Sequence, residues 1–200
     1  MKEKGGDVDE QQPKPPVKIR ITKLQEAQLA ELVRIDEETV AMHLEAGIAS
    51  LSPRSDVELA AMTRNHDILV AEADDHVAGF LAWADQAPGV AWIAELAIDP
   101  MRHRQGIATR MLRELGETAQ RHGIELVVAS CFDTATWALS FLAVRGFQKV
   151  EPGAGMPNKL SAWLELRQEP VPDGQSLWWA GTDGLGTVPG LPRPDSVRFT

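Results

Sequence analysis

The stretch from Val90 to His122 joins a long apolar run to a helical repeat through a short polar turn. The run Val90–Ile98 ends at Asp99-Pro100, and a run that continuous is typical of a strand inside a sheet. After Gly106 the apolar residues recur at helical spacing, which indicates an amphipathic helix packed on that sheet. This order predicts a mixed α/β fold.

The segments on either side extend the same pattern. Before Val90 we predict a strand over 17–21, helices over 24–35, 39–49 and 55–65, and a hairpin of strands at 68–71 and 77–83. After His122 we predict strands at 124–132, 147–150 and 160–166 and a helix over 134–145. The whole set predicts an α/β domain in which helices flank a central sheet.

The 200 residues are enough for one domain with tails. Residues 1–16 are charged and aperiodic, so we expect a disordered arm before a domain at 17–167. Residues 168–200 are rich in Gly and Pro but contain Trp178-Trp179, and adjacent tryptophans are costly to leave in water. We therefore expect an irregular tail that docks on its own domain or on a second copy, which leaves a homodimer through the tail open.

Composition excludes several classes of protein. The 20 basic and 29 acidic residues give a net charge of −9, which argues against non-specific nucleic-acid binding and mildly favours cationic partners. No apolar stretch is long enough for a membrane span, and the N-terminus lacks a secretion signal. The single Cys131 excludes a disulfide framework, and the histidines show no metal-ligand spacing. We expect a cytoplasmic protein without a metal ion.

The turn that follows Ile98 has the composition of a phosphate-binding loop. A strand leads into a basic turn that opens a helix, which directs backbone N–H groups and the positive helix end at one place. Gly106 allows a phosphate to approach the backbone, while Arg102, Arg104 and Arg110 add positive charge. The turn lacks the residues of a Walker loop and of a dinucleotide fingerprint. We interpret it as a pyrophosphate site; the alternative is a glycine that only relieves a turn.

These residues resemble the GNAT superfamily of acetyl-CoA-dependent N-acetyltransferases. That family has the signature R/Q-x-x-G-x-G/A after a strand that often ends in V/I-x-P. Here the strand ends in Ile98-Asp99-Pro100, and the signature is His103-Arg104-Gln105-Gly106-Ile107-Ala108, with His103 where the family has Arg or Gln. Gly146-Phe147 matches the family's G-F after its last conserved helix, so the resemblance spans about residues 17–166.

The resemblance implies a mostly antiparallel sheet in which the strand of Leu96, Ala97 and Ile98 separates from the strand at 126–130. The pantetheine arm of acetyl-CoA would lie between them, and the Ile98 backbone would polarise the thioester carbonyl. The amine would attack the acetyl group directly, with no covalent enzyme intermediate. The residues implied to hold the pyrophosphate are His103, Arg104, Gln105, Gly106, Ile107, Ala108 and Thr109.

The family's usual acid is absent from this sequence. Family members often use a tyrosine to reprotonate the CoA thiolate. The corresponding position here is Leu142, and the chain contains no tyrosine. The family's asparagine earlier in that helix falls on Ala135. Either the thiolate leaves unassisted or with water, or Cys131, Ser130 or Ser140 supplies the proton. The missing tyrosine also supports an alternative function, a non-catalytic module that binds acyl-CoA.

Glu95 is the candidate base. It is the one carboxylate in its apolar run, and burial there would raise its pKa toward neutrality; the alternative is a glutamate that pairs with an arginine. The acidic run 36–38 would attract a cationic acceptor or form a solvated helix end. Trp83 and Trp92 would line an acceptor pocket or pack in the core. The sequence does not choose among small amines, amino acids and protein N-termini as acceptor.

Overall fold

The computed structural model describes residues 17–151, 155–167 and 169–186, and the arm expected at 1–16 lies outside them. The described strands are β1 Ile19–Lys23, β2 Asp67–Ala73, β3 His76–Ala87, β4 Val90–Ile98, β5 Leu126–Phe132, β6 Gln148–Lys149 and β7 Gln175–Gly181. The described helices are α1 Leu29–Glu45, α2 Asp56–Asn65, α3 Ile107–Arg121, α4 Thr136–Val144 and α5 Asn158–Leu166. Short 3-10 helices lie at Glu26–Gln28 and Pro100–Arg102.

The strands form a seven-stranded sheet in the order β1-β2-β3-β4-β5-β7-β6. Every neighbouring pair is antiparallel except β4 and β5, which are parallel and are joined through α3. Helices α1 and α2 pack on one face, and α3 and α4 pack on the other. The mixed, mostly antiparallel sheet flanked by helices is therefore confirmed.

Local sequence signals account for several element ends. Ser55 caps α2: its Oγ accepts the Glu58 N–H, and the Glu58 carboxylate accepts the Ser55 N–H at 2.8 Å. Asp74 and Asp75 form the tight turn of the β2–β3 hairpin with φ angles of 52° and 64°. Aspartate tolerates this left-handed backbone better than most residues, which explains its use at both positions.

The sequence pattern predicted that the acidic run 36–38 separates two helices, and this prediction is wrong. The run lies inside the single helix α1, where Asp36 and Glu38 both have arginine partners. Asp36 is buried and binds Arg54, and Glu38 pairs with Arg34 one turn earlier at 2.9 Å. Charges that are satisfied in this way do not end a helix.

The strand predicted at 160–166 is wrong, because this segment is helix α5. Leu160 and Trp163 are buried three residues apart and pack against Val128 and Leu177 of the sheet. The short apolar pattern fits both a strand and one face of a helix, and the packing of that face decides the outcome.

The tail expected to be irregular contains β7, which lies inside the sheet between β5 and β6. Trp178 and Trp179 are half-buried and pack on opposite faces of the sheet. Their burial within the domain explains why adjacent tryptophans occur in a Gly/Pro-rich segment. The folded unit therefore extends past residue 167.

Truncation tests this assignment. A chain ending at Arg167 would lack β7 and leave β5 without a partner on one side. We therefore expect this chain to aggregate and to lose cooperative thermal unfolding. A chain ending at Gly186 keeps every described element and serves as the control. A folded, soluble chain ending at Arg167 would contradict the place of β7 in the sheet.

Candidate active site

The two parallel strands separate partway along their length. β4 pairs with β5 only as far as Ile93 and Ala129, after which β4 continues to Ile98 beside β3, and β5 continues beside β7. A bulge at Ala94, where the register to β3 shifts, lies at the point of separation. Because bulges bend a strand and increase its twist, this one turns the end of β4 away from β5. The result is the opening that the resemblance implied.

Hydrogen bonds of Asp99 and His103 fix the turn after β4 to the end of that strand. The buried Asp99 accepts the Met101 N–H at 2.8 Å through Oδ1 and an Arg34 N–H at 3.1 Å through Oδ2. His103 places Nε2 at 3.0 Å from the Ile98 carbonyl oxygen. Since that oxygen can only accept, Nε2 carries the proton. His103 thus ties the loop back to the strand that faces the opening.

The loop that opens α3 has the backbone shape of an anion site. Arg104 and Gly106 both take left-handed backbone, with φ angles of 63° and 81°. Left-handed residues that alternate with ordinary ones turn successive N–H groups into one concavity, here at the positive end of a helix. Gly106 is the N-cap of α3, and, apart from its chain neighbours, no described residue comes within 4 Å of a β-carbon placed on it. We call residues 103–109 the phosphate cradle.

The basic residues near the phosphate cradle differ in their partners. Arg102 pairs with Asp74 in the β2–β3 turn at 3.0 Å, so its charge is already compensated. Arg104 and Arg110 are exposed and have no ion pair among the described residues. The positive charge of the loop therefore comes from Arg104 and Arg110.

Arg145, at the end of α4, also reaches the phosphate cradle. Its Nε and Nη2 donate to Thr109 Oγ1 at 3.1 and 2.7 Å, and its guanidinium lies 5.1 Å from the Phe141 ring centre. Burial lowers the pKa of Arg145. No local pattern in the sequence marks this residue, because an arginine before Gly146 is typical of an ordinary cation at a helix end.

Glu95 lies beside the opening and forms an ion pair. Its side chain is 24% exposed, and Oε2 accepts an Arg54 N–H at 2.6 Å. Arg54 also binds the buried Asp36 through Nη1 and through its own backbone N–H. Burial alone would lower the pKa of Arg54, but Glu95 and Asp36 outweigh that effect and raise it. The structure thus shows an ion pair between Glu95 and Arg54 that uses one of the two carboxylate oxygens of Glu95.

Arg54 should contribute strongly to stability, because Asp36 is only 2% exposed and relies on it. Removing one partner of a buried ion pair leaves the other charge buried and unpaired, which costs about 3 kcal/mol. We expect Arg54→Gln to lower the free energy of unfolding by about that amount in urea titrations. The control is Lys159→Gln, whose pair with Glu125 is exposed on both sides and worth at most about 1 kcal/mol. Equal losses in both variants would contradict the role given to Arg54.

The positions of the family's acid and asparagine are occupied by buried apolar side chains. Leu142 is 8% exposed and belongs to the same core cluster as Phe147. Ala135 is buried at the N-cap of α4. These two positions hold helix α4 against the sheet and carry no group that transfers a proton.

The three substitute proton donors lie in different settings. Burial, with a smaller effect from Asp133, raises the pKa of Cys131 to about 11, so the thiol is protonated at neutral pH. Ser130 is half-buried and directly follows Ala129, the last β5 residue paired with β4. Ser140 is exposed and donates to a carbonyl oxygen of its own helix at 2.7 Å. Cys131 and Ser130 thus lie on the strand that borders the opening.

The tryptophans near the site lie partly in the core and partly at the surface. Trp83 is 2% exposed in the core, and Trp92 packs on Trp163 of α5 with ring centres 6.1 Å apart. Trp137 of α4 is 40% exposed and lies 5.5 Å from the His43 ring of α1. Helices α1 and α4 cover opposite faces of the sheet, so this contact joins the two faces. No pattern in the sequence pointed to this pair.

Within the described residues, no group of histidine, cysteine, aspartate and glutamate side chains could hold a metal ion. No helix of the described chain is both long and apolar enough to cross a membrane.

Solved structures with the same fold come from several acetyltransferases. A GNAT-family acetyltransferase of Staphylococcus aureus has a TM-score of 0.64 at 14% identity, covering 82% of this chain and 99% of its own. The Escherichia coli ribosomal-protein-S18-alanine N-acetyltransferase has a TM-score of 0.60 at 16% identity, covering 82% and 94%. A Salmonella typhimurium protein solved with its cofactor acetyl-CoA has a TM-score of 0.58 at 17% identity, covering 86% and 99%.

No curated protein matches the sequence significantly. The sequence does match the model of the acetyltransferase (GNAT) family over residues 32–147, from α1 to Phe147. That region contains the separated strands, the phosphate cradle and Glu95. Because it covers more than half of the chain, the protein belongs to the GNAT family of acetyltransferases.

Proposed function

We propose that the protein transfers the acetyl group of acetyl-CoA to a primary amine by direct attack. The observation that carries this proposal is the joint position of the opening between β4 and β5 and the phosphate cradle at the start of α3. An extended thioester with a diphosphate at one end needs both features side by side. The acetyl-CoA in the related Salmonella structure supports the same choice of co-substrate.

Each side of the site has a separate task in this proposal. The phosphate cradle, from His103 to Thr109, binds the pyrophosphate through backbone N–H groups. Leu96 and Ala97 border the pantetheine arm, and the Ile98 backbone polarises the thioester carbonyl. The bond from His103 to the Ile98 carbonyl oxygen holds the loop and the strand end in one arrangement. Binding energy at the loop thus positions the acetyl group at the opening.

Glu95 is the proposed base. Only a neutral amine attacks a thioester, so an ammonium acceptor must lose a proton first. Arg54 binds one oxygen of Glu95, and the other oxygen has no hydrogen-bond partner among the described residues. Asp36 takes the remaining bonds of Arg54, so the group of two carboxylates and one guanidinium keeps one net negative charge. That charge favours a cationic amine beside Glu95.

The proton that the CoA thiolate needs is proposed to come from Cys131, from Ser130 or from water. Cys131 carries a proton at neutral pH, but its pKa of about 11 makes it a weak acid. Trp137 and His43 are proposed to border the acceptor, because Trp137 is partly exposed and their contact joins helices on opposite faces of the sheet. The acceptor itself is a small amine, an amino acid or a protein N-terminus; the Escherichia coli relative is named for an alanine of a ribosomal protein.

The second candidate function is a non-catalytic module that binds acyl-CoA. The observation that favours it is Leu142, a buried leucine where the family has its acid. The test is release of free CoA thiol from acetyl-CoA across a panel of amines that includes diamines, amino acids and peptides. Release that depends on one class of amine supports the transferase. Tight acetyl-CoA binding without release for any amine supports the module.

A further inference from the structure

Arg145 has more hydrogen-bonding capacity than its surroundings use. Two of its N–H groups bind Thr109 Oγ1, and Nη1 has no partner among the described residues. The side chain is half-buried and lies over the Phe141 ring, yet no carboxylate within the described chain pairs with it. A partly buried guanidinium without a counter-charge is unfavourable unless an anion joins it.

Thr109 is also left with a donor. Its Oγ1 accepts both bonds from Arg145, so its own hydroxyl proton is free, and it bonds to no other described residue. Thr109 lies in the first turn of α3, the turn that begins at Gly106. The unused donors of Arg145 and Thr109 thus lie at the same helix end as the phosphate cradle.

We propose that Arg145 binds a phosphate group of coenzyme A, with Thr109 held in place to donate to the same ligand. This rests on the proposed function and adds a contact from α4 to a site otherwise built from the start of α3. A phosphate accepts several hydrogen bonds at once and supplies the missing negative charge, which a neutral pantetheine arm does not. The phosphate is either in the diphosphate or at the 3′ position of the ribose.

The direct test compares Arg145→Gln with the full-length wild-type protein in calorimetric titrations of CoA. Hydrogen bonds to charged groups are among the stronger ones, so we expect the dissociation constant for CoA to rise about tenfold or more. Arg121→Gln is the matched control. Arg121 also bonds to a threonine hydroxyl of α3, Thr118 at 2.8 Å, but at the far end of the helix. Arg121→Gln should bind CoA as the wild type does.

Two further ligands locate the contact and separate it from a structural effect. If Arg145 binds the 3′-phosphate, Arg145→Gln weakens CoA but not 3′-dephospho-CoA; if it binds the diphosphate, both weaken alike. Pantetheine has no phosphate, so its affinity, measured by competition with CoA, should be the same in Arg145→Gln and in the wild type in either case. Arg145→Lys keeps the charge without the planar fork and should recover part of the affinity.

Three results would overturn this proposal. The first is a dissociation constant for CoA within about twofold of the wild type in Arg145→Gln. The second is an equal loss of affinity for pantetheine and for CoA in Arg145→Gln, which would mean that Arg145 only supports the packing of α4 on α3. The third is a wild-type protein that binds no CoA, which would remove the proposed function as well. The first two leave the proposed function intact.

Discussion

Gly106→Glu should abolish CoA binding, raising the dissociation constant by at least about 100-fold. The side chain would place a negative charge where we propose that the phosphate cradle binds a diphosphate, and the like charges would repel each other at close range. The substitution also forces an ordinary residue into a φ of 81°, which costs about 1–2 kcal/mol of stability. The measurement is calorimetric titration with CoA, with thermal unfolding recorded on the same samples.

Gly123→Glu separates the loss of binding from the loss of stability. Gly123 follows the other end of α3, has a φ of 73° and, among the described residues, likewise leaves open space around an added β-carbon. The backbone strain and the change of charge are therefore the same, but the site is remote from the phosphate cradle. We expect a similar drop in melting temperature and unchanged CoA affinity. Equal affinities for CoA in the two variants would mean that Gly106 serves only the turn.

Glu95→Gln should lower the rate of acetyl transfer by about 100-fold at low pH while CoA affinity stays unchanged. The amide cannot accept the proton of an ammonium acceptor, so the reaction depends on the small fraction of neutral amine. As the pH rises toward the pKa of the amine, that fraction grows and the deficit of the variant shrinks. The measurement is the pH–rate profile of both proteins with one amine.

The control for Glu95 is Glu72→Gln. Glu72 is also a strand glutamate paired with an arginine, Arg20, but it lies on β2, away from the opening. Glu72→Gln should therefore leave the pH–rate profile unchanged. If Glu95→Gln lowers the rate by the same factor at every pH, or not at all, Glu95 acts only through its ion pair with Arg54.

The elements around the site could be predicted because their signals are local. Gly106 marks a left-handed turn, Ser55 caps a helix, and the apolar run of β4 has the length and continuity of an inner strand. Each of these depends on residues within one turn or one strand. The family resemblance then supplied what a local pattern cannot, the separation of the end of β4 from β5.

The remaining features depend on contacts between distant segments. β7 was missed because its Gly- and Pro-flanked sequence resembles a loop, and only pairing with β5 and β6 makes it a strand. The acidic run in α1 was misplaced because its partner Arg54 lies 18 residues away from Asp36. Arg145 and Thr109 are 36 residues apart, so no spacing rule connects them.

The most direct test of the account is calorimetric titration of the wild-type protein with acetyl-CoA. We expect saturable binding at one site, with affinity that falls as salt screens the charges of the phosphate cradle. Binding of this kind, together with its loss in Gly106→Glu, would locate the co-substrate at the loop of Gly106. No heat of binding at millimolar acetyl-CoA would contradict the assignment of that loop and leave a GNAT fold without its co-substrate.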